Sequence, residues 1–178
     1  FLPVRGLGDV YKRQQLTEEI RTGTQTTREP VYSMRANSYG YNDIGSTYIE
    51  VDLSSQHMYY YQNGSIIFDS DIVSGDIRYD DRATPPGIFT LYYKKSPDVL
   101  RGEKKPDGTY EYETQVTYWM PFVYGQGLHD ASWQPSSVFS NPDAYKTYGS
   151  HGCVNLPTDK AAEIYGIIQN GDPVIVHW

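Results

Sequence analysis

A single cysteine, Cys153, in 178 residues excludes an internal disulfide framework and leaves that thiol three roles: metal ligand, buried apolar residue or nucleophile. Cations are scarce too, with 15 Lys and Arg against 22 Asp and Glu, a formal charge of -7 and an isoelectric point near 5.0. That balance lacks the basic stripe of a nucleic-acid binder, so no nucleic-acid partner is expected. No apolar run reaches the roughly 20 residues of a membrane-crossing helix. Compact ligand pairs such as HExxH or CxxC are missing, so neither a metal nor another cofactor is expected. The sequence also carries no internal repeat and no low-complexity tract. Aromatics, in contrast, are abundant: 18 Tyr within 15% aromatic content, which is not the composition of a disordered chain. The length suits one domain and a short appendage.

The N-terminal stretch reads differently from the rest. Asp9-Val10-Tyr11-Lys12-Arg13-Gln14 resembles a translated sequencing-library adaptor, so residues 1–14 are expected to be a disordered assembly scar outside the fold. Any native signal peptide or anchor is then expected upstream of this sequence. Residues 15–46 are polar, with breaks at Glu29-Pro30 and Tyr39-Gly40-Tyr41-Asn42, and are expected to be a linker or the tail of a preceding domain. The folded domain is expected over residues 47–178.

Within it, residues 48–53 alternate apolar and acidic side chains, the period of a half-buried strand. Asn63-Gly64 between residues 57–62 and 65–70 marks a hairpin, because both turn positions need positive φ. Residues 72–75 are expected to extend that sheet, and residues 76–82 form an acidic loop. Thr84-Pro85-Pro86-Gly87 is a rigid turn launching a strand over 88–93. A basic loop over 94–108 and one or two strands over 111–124 follow. Residues 129–149 lack any period and are expected to form a long functional loop with one short helical turn. Thr158 is positioned to cap a helix over 159–169, and residues 173–178 form a last strand. The sum is a mainly β fold, a sandwich or barrel with one or two packed helices.

The chemistry concentrates in Ser150-His151-Gly152-Cys153-Val154-Asn155. Glycine at 152 allows close backbone approach, and amides around it could face a developing oxyanion. An ordinary thiol is only a few per cent thiolate at neutral pH, so a nucleophilic Cys153 needs a base, for which His129 and His151 are the candidates. His129, Asp130, His151 and Cys153 also compose a possible zinc set, which keeps a zinc peptidase as an alternative.

An upstream histidine, the Ser-His-Gly-Cys-Val-Asn run and the Thr-Pro-Pro-Gly turn together resemble the signature of the peptidoglycan L,D-transpeptidases, the YkuD family. Gly127-Leu128-His129-Asp130 and Tyr118-Trp119-Met120-Pro121 resemble the form found in Gram-positive bacteria. The stretch between His129 and Ser150 is longer than the family's usual spacing.

The resemblance implies a YkuD-type mixed β fold and a cysteine acyltransferase. Cys153 is then the nucleophile, and His129 the base, oriented by the Asp130 carbonyl. Ser150, His151 and Gly152 shape the site, with the Gly152 and Cys153 amides as oxyanion hole. Asn155, which stands where many members have Arg, is expected to contact substrate together with Tyr118, Trp119, Thr84 and Pro86. The implied reaction joins a tetrapeptide stem to Cys153 as a thioester, releases D-Ala and transfers the acyl group to an acceptor amine in a 3-3 type cross-link. L,D-carboxypeptidase activity is an expected side reaction, and an inactive wall-binding module is a further alternative. Expected partners are peptidoglycan stem peptides, with carbapenem-type β-lactams as inhibitors and membrane contact only through a missing N-terminal anchor. The expected state is a monomer on the extracytoplasmic side.

Overall fold

The computed structural model describes residues 7–23 and 43–178, and the chain divides into two units, Phe1–Arg35 and Ala36–Trp178. In the first unit a helix, α1 (Leu7–Thr22), runs across the boundary drawn at residue 14, a stretch read from sequence as unstructured. It leaves Leu16 and Ile20 exposed and carries a Glu18–Arg21 pair at 2.8 Å. The breaks at Glu29-Pro30 and Tyr39–Asn42 lie outside the described residues.

In the second unit the strands described form three sheets. Strands β1 (Tyr48–Asp52), β2 (His57–Gln62), β3 (Ser65–Asp71), β4 (Gly87–Thr90) and β10 (Pro173–His177) make a five-stranded sheet ordered β3-β2-β1-β10-β4. The hairpin turn is as expected, with Asn63 at φ 53° and Gly64 at φ 81°. Ile49 and Val51 of β1 face inward against Met58 and Tyr60 of β2, both fully buried. Strands β7 (Trp119–Val123), β8 (Gln126–Asp130) and β9 (Val154–Leu156) form the second sheet. Its Met120, Phe122, Leu128, Val154 and Leu156 join the same core, closed by Ala161, Ile164 and Ile168 of the C-terminal helix region. This is the mainly β layered fold with packed helices that the sequence pattern indicates.

Several elements of this unit depart from the sequence reading. The basic segment read as a loop contains β5 (Asp98–Arg101), paired antiparallel with β6 (Glu113–Val116) in a two-stranded arm. Strand β4 ends at Thr90, short of residue 93. Residues 129–149 are largely structured: His129 lies in β8, and two short helices, α2 (Ser136–Phe139) and α3 (Tyr145–Tyr148), tie the rest down. Val138, Phe139, Ala144 and Tyr145 pack with Val73 and Ala131 in a second apolar cluster. Helix α4 (Thr158–Ile167) begins after Pro157, and Thr158 is its first helical residue, making no side-chain capping bond. Its end is set from outside, where Lys94 Nζ donates to the carbonyls of Tyr165 and Ile168 at 2.9 and 2.6 Å.

Residues 72–75 do not widen the hairpin sheet. They run beside the cysteine segment instead: Val73 bridges Asn155 and Gly75 bridges Ser150. Amide–carbonyl bonds Val73–Asn155, Asn155–Val73, Ser150–Ser74 and Asp76–Ser150, all 2.9–3.0 Å, fasten this strip. Buried Gln56 fixes its middle, donating to Ser74 Oγ and accepting from the Ser74 amide, both at 2.9 Å.

Candidate active site

Strand register brings the histidine and the thiol to one surface. In the parallel β8–β9 pair, Leu128 stands beside Val154 and His129 beside Asn155. Leu128 and Val154 point into the core, so His129 and Asn155 take the opposite face. Cys153, two residues before Asn155, shares that face. All three line a groove of about 290 Å³. Its floor also carries Ser150, His151 and Gly149, while Leu100, Tyr112 and Thr114 from the β5–β6 arm form one wall. Trp133, Gln134 and Tyr148 close the other side.

His129 is almost fully buried, and its Nδ1 lies 2.9 Å from the Asp130 carbonyl. A carbonyl can only accept, so Nδ1 carries the hydrogen and Nε2 of the neutral ring is left as the free base. Burial lowers the histidine below its ordinary range, against the opposing effect of that bond. Rings of Trp119 and Trp133 lie 6.0 and 5.8 Å away and hold the imidazole. Cys153 is partly open to the groove, yet burial around its sulfur pushes the thiol up to about 11, partly offset by a backbone hydrogen bond at Gly127. The resting pair is therefore neutral thiol and neutral imidazole.

Ser150 organises the loop. Its Oγ donates to the Cys153 carbonyl at 2.6 Å and accepts from the Gly152 amide at 3.0 Å. That second bond corrects the expected oxyanion hole: in this conformation the Gly152 amide is already used. Gly152 itself sits at φ 105°, and a side chain there would strike the Gln126 carboxamide. Thr84 clips the loop from behind, accepting from the Gly75 amide and donating to the Gly152 carbonyl, each at 2.9 Å. Thr84 is buried, so it supports the loop and is not placed to touch substrate.

Other expected contacts also move. Tyr118 packs on the core with its ring 5.1 Å from Tyr165, and Pro86 is exposed outside the groove. Trp119 stands behind His129. The Asp130 carboxylate accepts from the Thr117 and Tyr118 amides at 2.7 and 2.8 Å, turned away from His129, so the four residues of the zinc alternative do not converge. Among the described residues no His, Cys, Asp and Glu group could hold a metal. His151 is exposed, its ring 4.9 Å from that of Tyr112. Tyr112, Trp133 and Gln134 went unmarked in the sequence because their closeness to Cys153 depends on tertiary packing. The strand alternation of Leu100 and Thr114 was the available signal for the arm.

Residues 46–176 match the family YkuD, described as the L,D-transpeptidase catalytic domain. No curated protein matches the chain. Among solved structures, the chain is similar to an Enterococcus faecium L,D-transpeptidase Cys-to-Ser mutant at 37% identity and TM-score 0.70, covering 92% of this chain and 62% of that one. The Ldtfm–avibactam carbamoyl enzyme is similar at 38% identity and TM-score 0.72, covering 93% and 61%. The catalytic domain of the E. faecium L,D-transpeptidase acylated by ertapenem is 42% identical with TM-score 0.61, covering 75% and 98%. The chain thus spans about three fifths of the first two relatives and nearly all of the isolated catalytic domain. With the profile match extending over most of the folded unit, this chain belongs to the YkuD family of L,D-transpeptidase catalytic domains.

Proposed function

We propose that the chain is the catalytic domain of a peptidoglycan L,D-transpeptidase acting through Cys153. The observation that carries this reading is the shared face of β8 and β9, which puts an unprotonated Nε2 and the lone thiol in one groove. His129 takes the thiol proton as sulfur attacks the donor's scissile carbonyl. Collapse of the tetrahedral adduct breaks the C–N bond, and the same proton goes to the leaving D-Ala amine. An acceptor amine then attacks the thioester, passing its proton to His129, which returns it to the departing sulfur. Water in place of the amine gives the carboxypeptidase side reaction. The Cys153 amide serves the oxyanion. A carbapenem acylates the same sulfur, in keeping with the ertapenem-acylated relative. Stem peptides place the work outside the cytoplasm, in the wall.

The test is incubation with purified tetrapeptide stem, product analysis by mass, and intact mass after carbapenem. Wild type is expected to give a 3-3 linked dimer, released D-Ala and a single adduct. Cys153→Ala gives neither dimer nor adduct with its fold retained. An adduct persisting in that variant defeats the assignment.

A further inference from the structure

The groove lining holds two histidines, a thiol, hydroxyls and carboxamides, but no lysine or arginine. The proposed donor, however, ends in a free α-carboxylate on the residue that leaves. Moving a carboxylate out of water without a charged or fully hydrogen-bonded partner is unfavourable. Arg82 does not line the groove itself but lies beside residues that do. Its carbonyl crowds Gly75 together with the Gly152 Cα, so residue 82 is one glycine removed from the nucleophile loop. Its charge acts on Tyr112, which lines the groove against His151.

The two arginines of this loop differ in commitment. Arg78 is bound to the buried Asp76 carboxylate through Nε at 2.9 Å and Nη2 at 2.6 Å. Arg82 meets Glu111 at 3.7 Å, with side chains 31% and 45% exposed, and among the described residues that is its ion-pair partner. An open pair beyond hydrogen-bond length is weak and exchangeable. The Tyr79 ring, 4.7 Å from the guanidinium carbon, steadies the side chain by its face and uses none of its N–H donors. Glu111 precedes Tyr112 on the arm, so the placeholder carboxylate sits beside the groove wall.

Resting on the transpeptidase reading, we infer that Arg82 receives the donor's α-carboxylate, exchanging Glu111 for it and holding the leaving residue while Cys153 attacks the adjacent carbonyl. Arg82 transfers no proton. It sets the preference for a stem with a free terminal carboxylate over an amidated one, through bidentate geometry that a lysine reproduces only in part.

The experiment uses the full chain with two donors, the tetrapeptide free acid and its C-terminal carboxamide, and reads thioester formation. In wild type the carboxamide is expected to show a KM about 10- to 100-fold higher, the range for losing a charge-assisted pair, with kcat little changed. Arg82→Gln brings the free acid to the carboxamide's KM and leaves the carboxamide as it was, while Arg82→Lys falls between. Glu111→Gln, which releases the guanidinium, gives an equal or lower KM for the free acid. Equal KM values for both donors in wild type overturn the assignment without needing any variant. So does a Glu111→Gln enzyme as impaired as Arg82→Gln, which would make the pair a clasp. Wild type forming no thioester with either donor removes the transpeptidase reading itself, and Arg82's role with it.

Discussion

Burial disfavours the charged form of both side chains in the proposed mechanism: His129 is lowered and Cys153 is raised to about 11. On the proposed mechanism, the groove keeps its proton on sulfur until substrate arrives and His129 removes it during attack. His129→Ala is expected to slow carbapenem acylation by about 10²- to 10⁴-fold, measured by intact mass over time. The thiol also links pH to stability. Unfolded, it ionises around its ordinary 9.0, while folded it keeps its proton to about 11, so stability present below pH 9 is lost as pH rises through that window. The loss amounts to up to about 2–3 kcal/mol, and Cys153→Ala, lacking the group, is expected to escape it in denaturant titrations below pH 9 and near pH 11. At this scale Cys153 and His129 were legible because their signals are local: a thiol after glycine, a histidine closing a strand. Tyr118 misled because nearness to His129 in the chain is not nearness to the groove; its ring packs on the core.

The strip of residues 73–76 and its Thr84 clip show how a supporting element holds the cysteine loop without lining the groove. Thr84 Oγ1 satisfies one buried donor and one buried acceptor, Gly75 N–H and Gly152 C=O. Thr84→Val keeps the shape and leaves both unpaired, which is expected to destabilise the fold by about 1–3 kcal/mol and to slow acylation as the loop loosens. Thr84→Ser restores the hydroxyl and is expected to recover most of both, read by thermal melting and adduct formation. Thr-Pro-Pro-Gly was legible as a rigid turn, but its long-range bond to residue 152 was not. The β5–β6 arm was obscured for a different reason. Asp98-Val99-Leu100-Arg101 is short, half-exposed and set between Pro97 and Gly102, so charge and breakers hid its alternation.

For the molecule as a whole, the core and the groove both belong to the unit Ala36–Trp178. Residues 36–178 alone are expected to fold and to form the carbapenem adduct at a rate within about twofold of the full chain, since α1 contributes no residue to either. Loss of cooperative melting in that fragment would count against the division. Layering and strand content were legible from period-two patterning and turn residues. The order of strands was not, because nothing local to residues 173–177 says that they belong in the middle of a sheet. There β10 lies between β1 and β4, parallel to β1, with Val51 beside Val176. The last strand is thus a keystone with consequences for synthesis. While the ribosome still holds residues 173–177, β1 and β4 lack their shared neighbour, and the five-stranded sheet cannot close. Nascent chains therefore wait in an open state until residues 173–177 have emerged, and a stop codon before Pro173 leaves two unpaired strand edges exposed to aggregation.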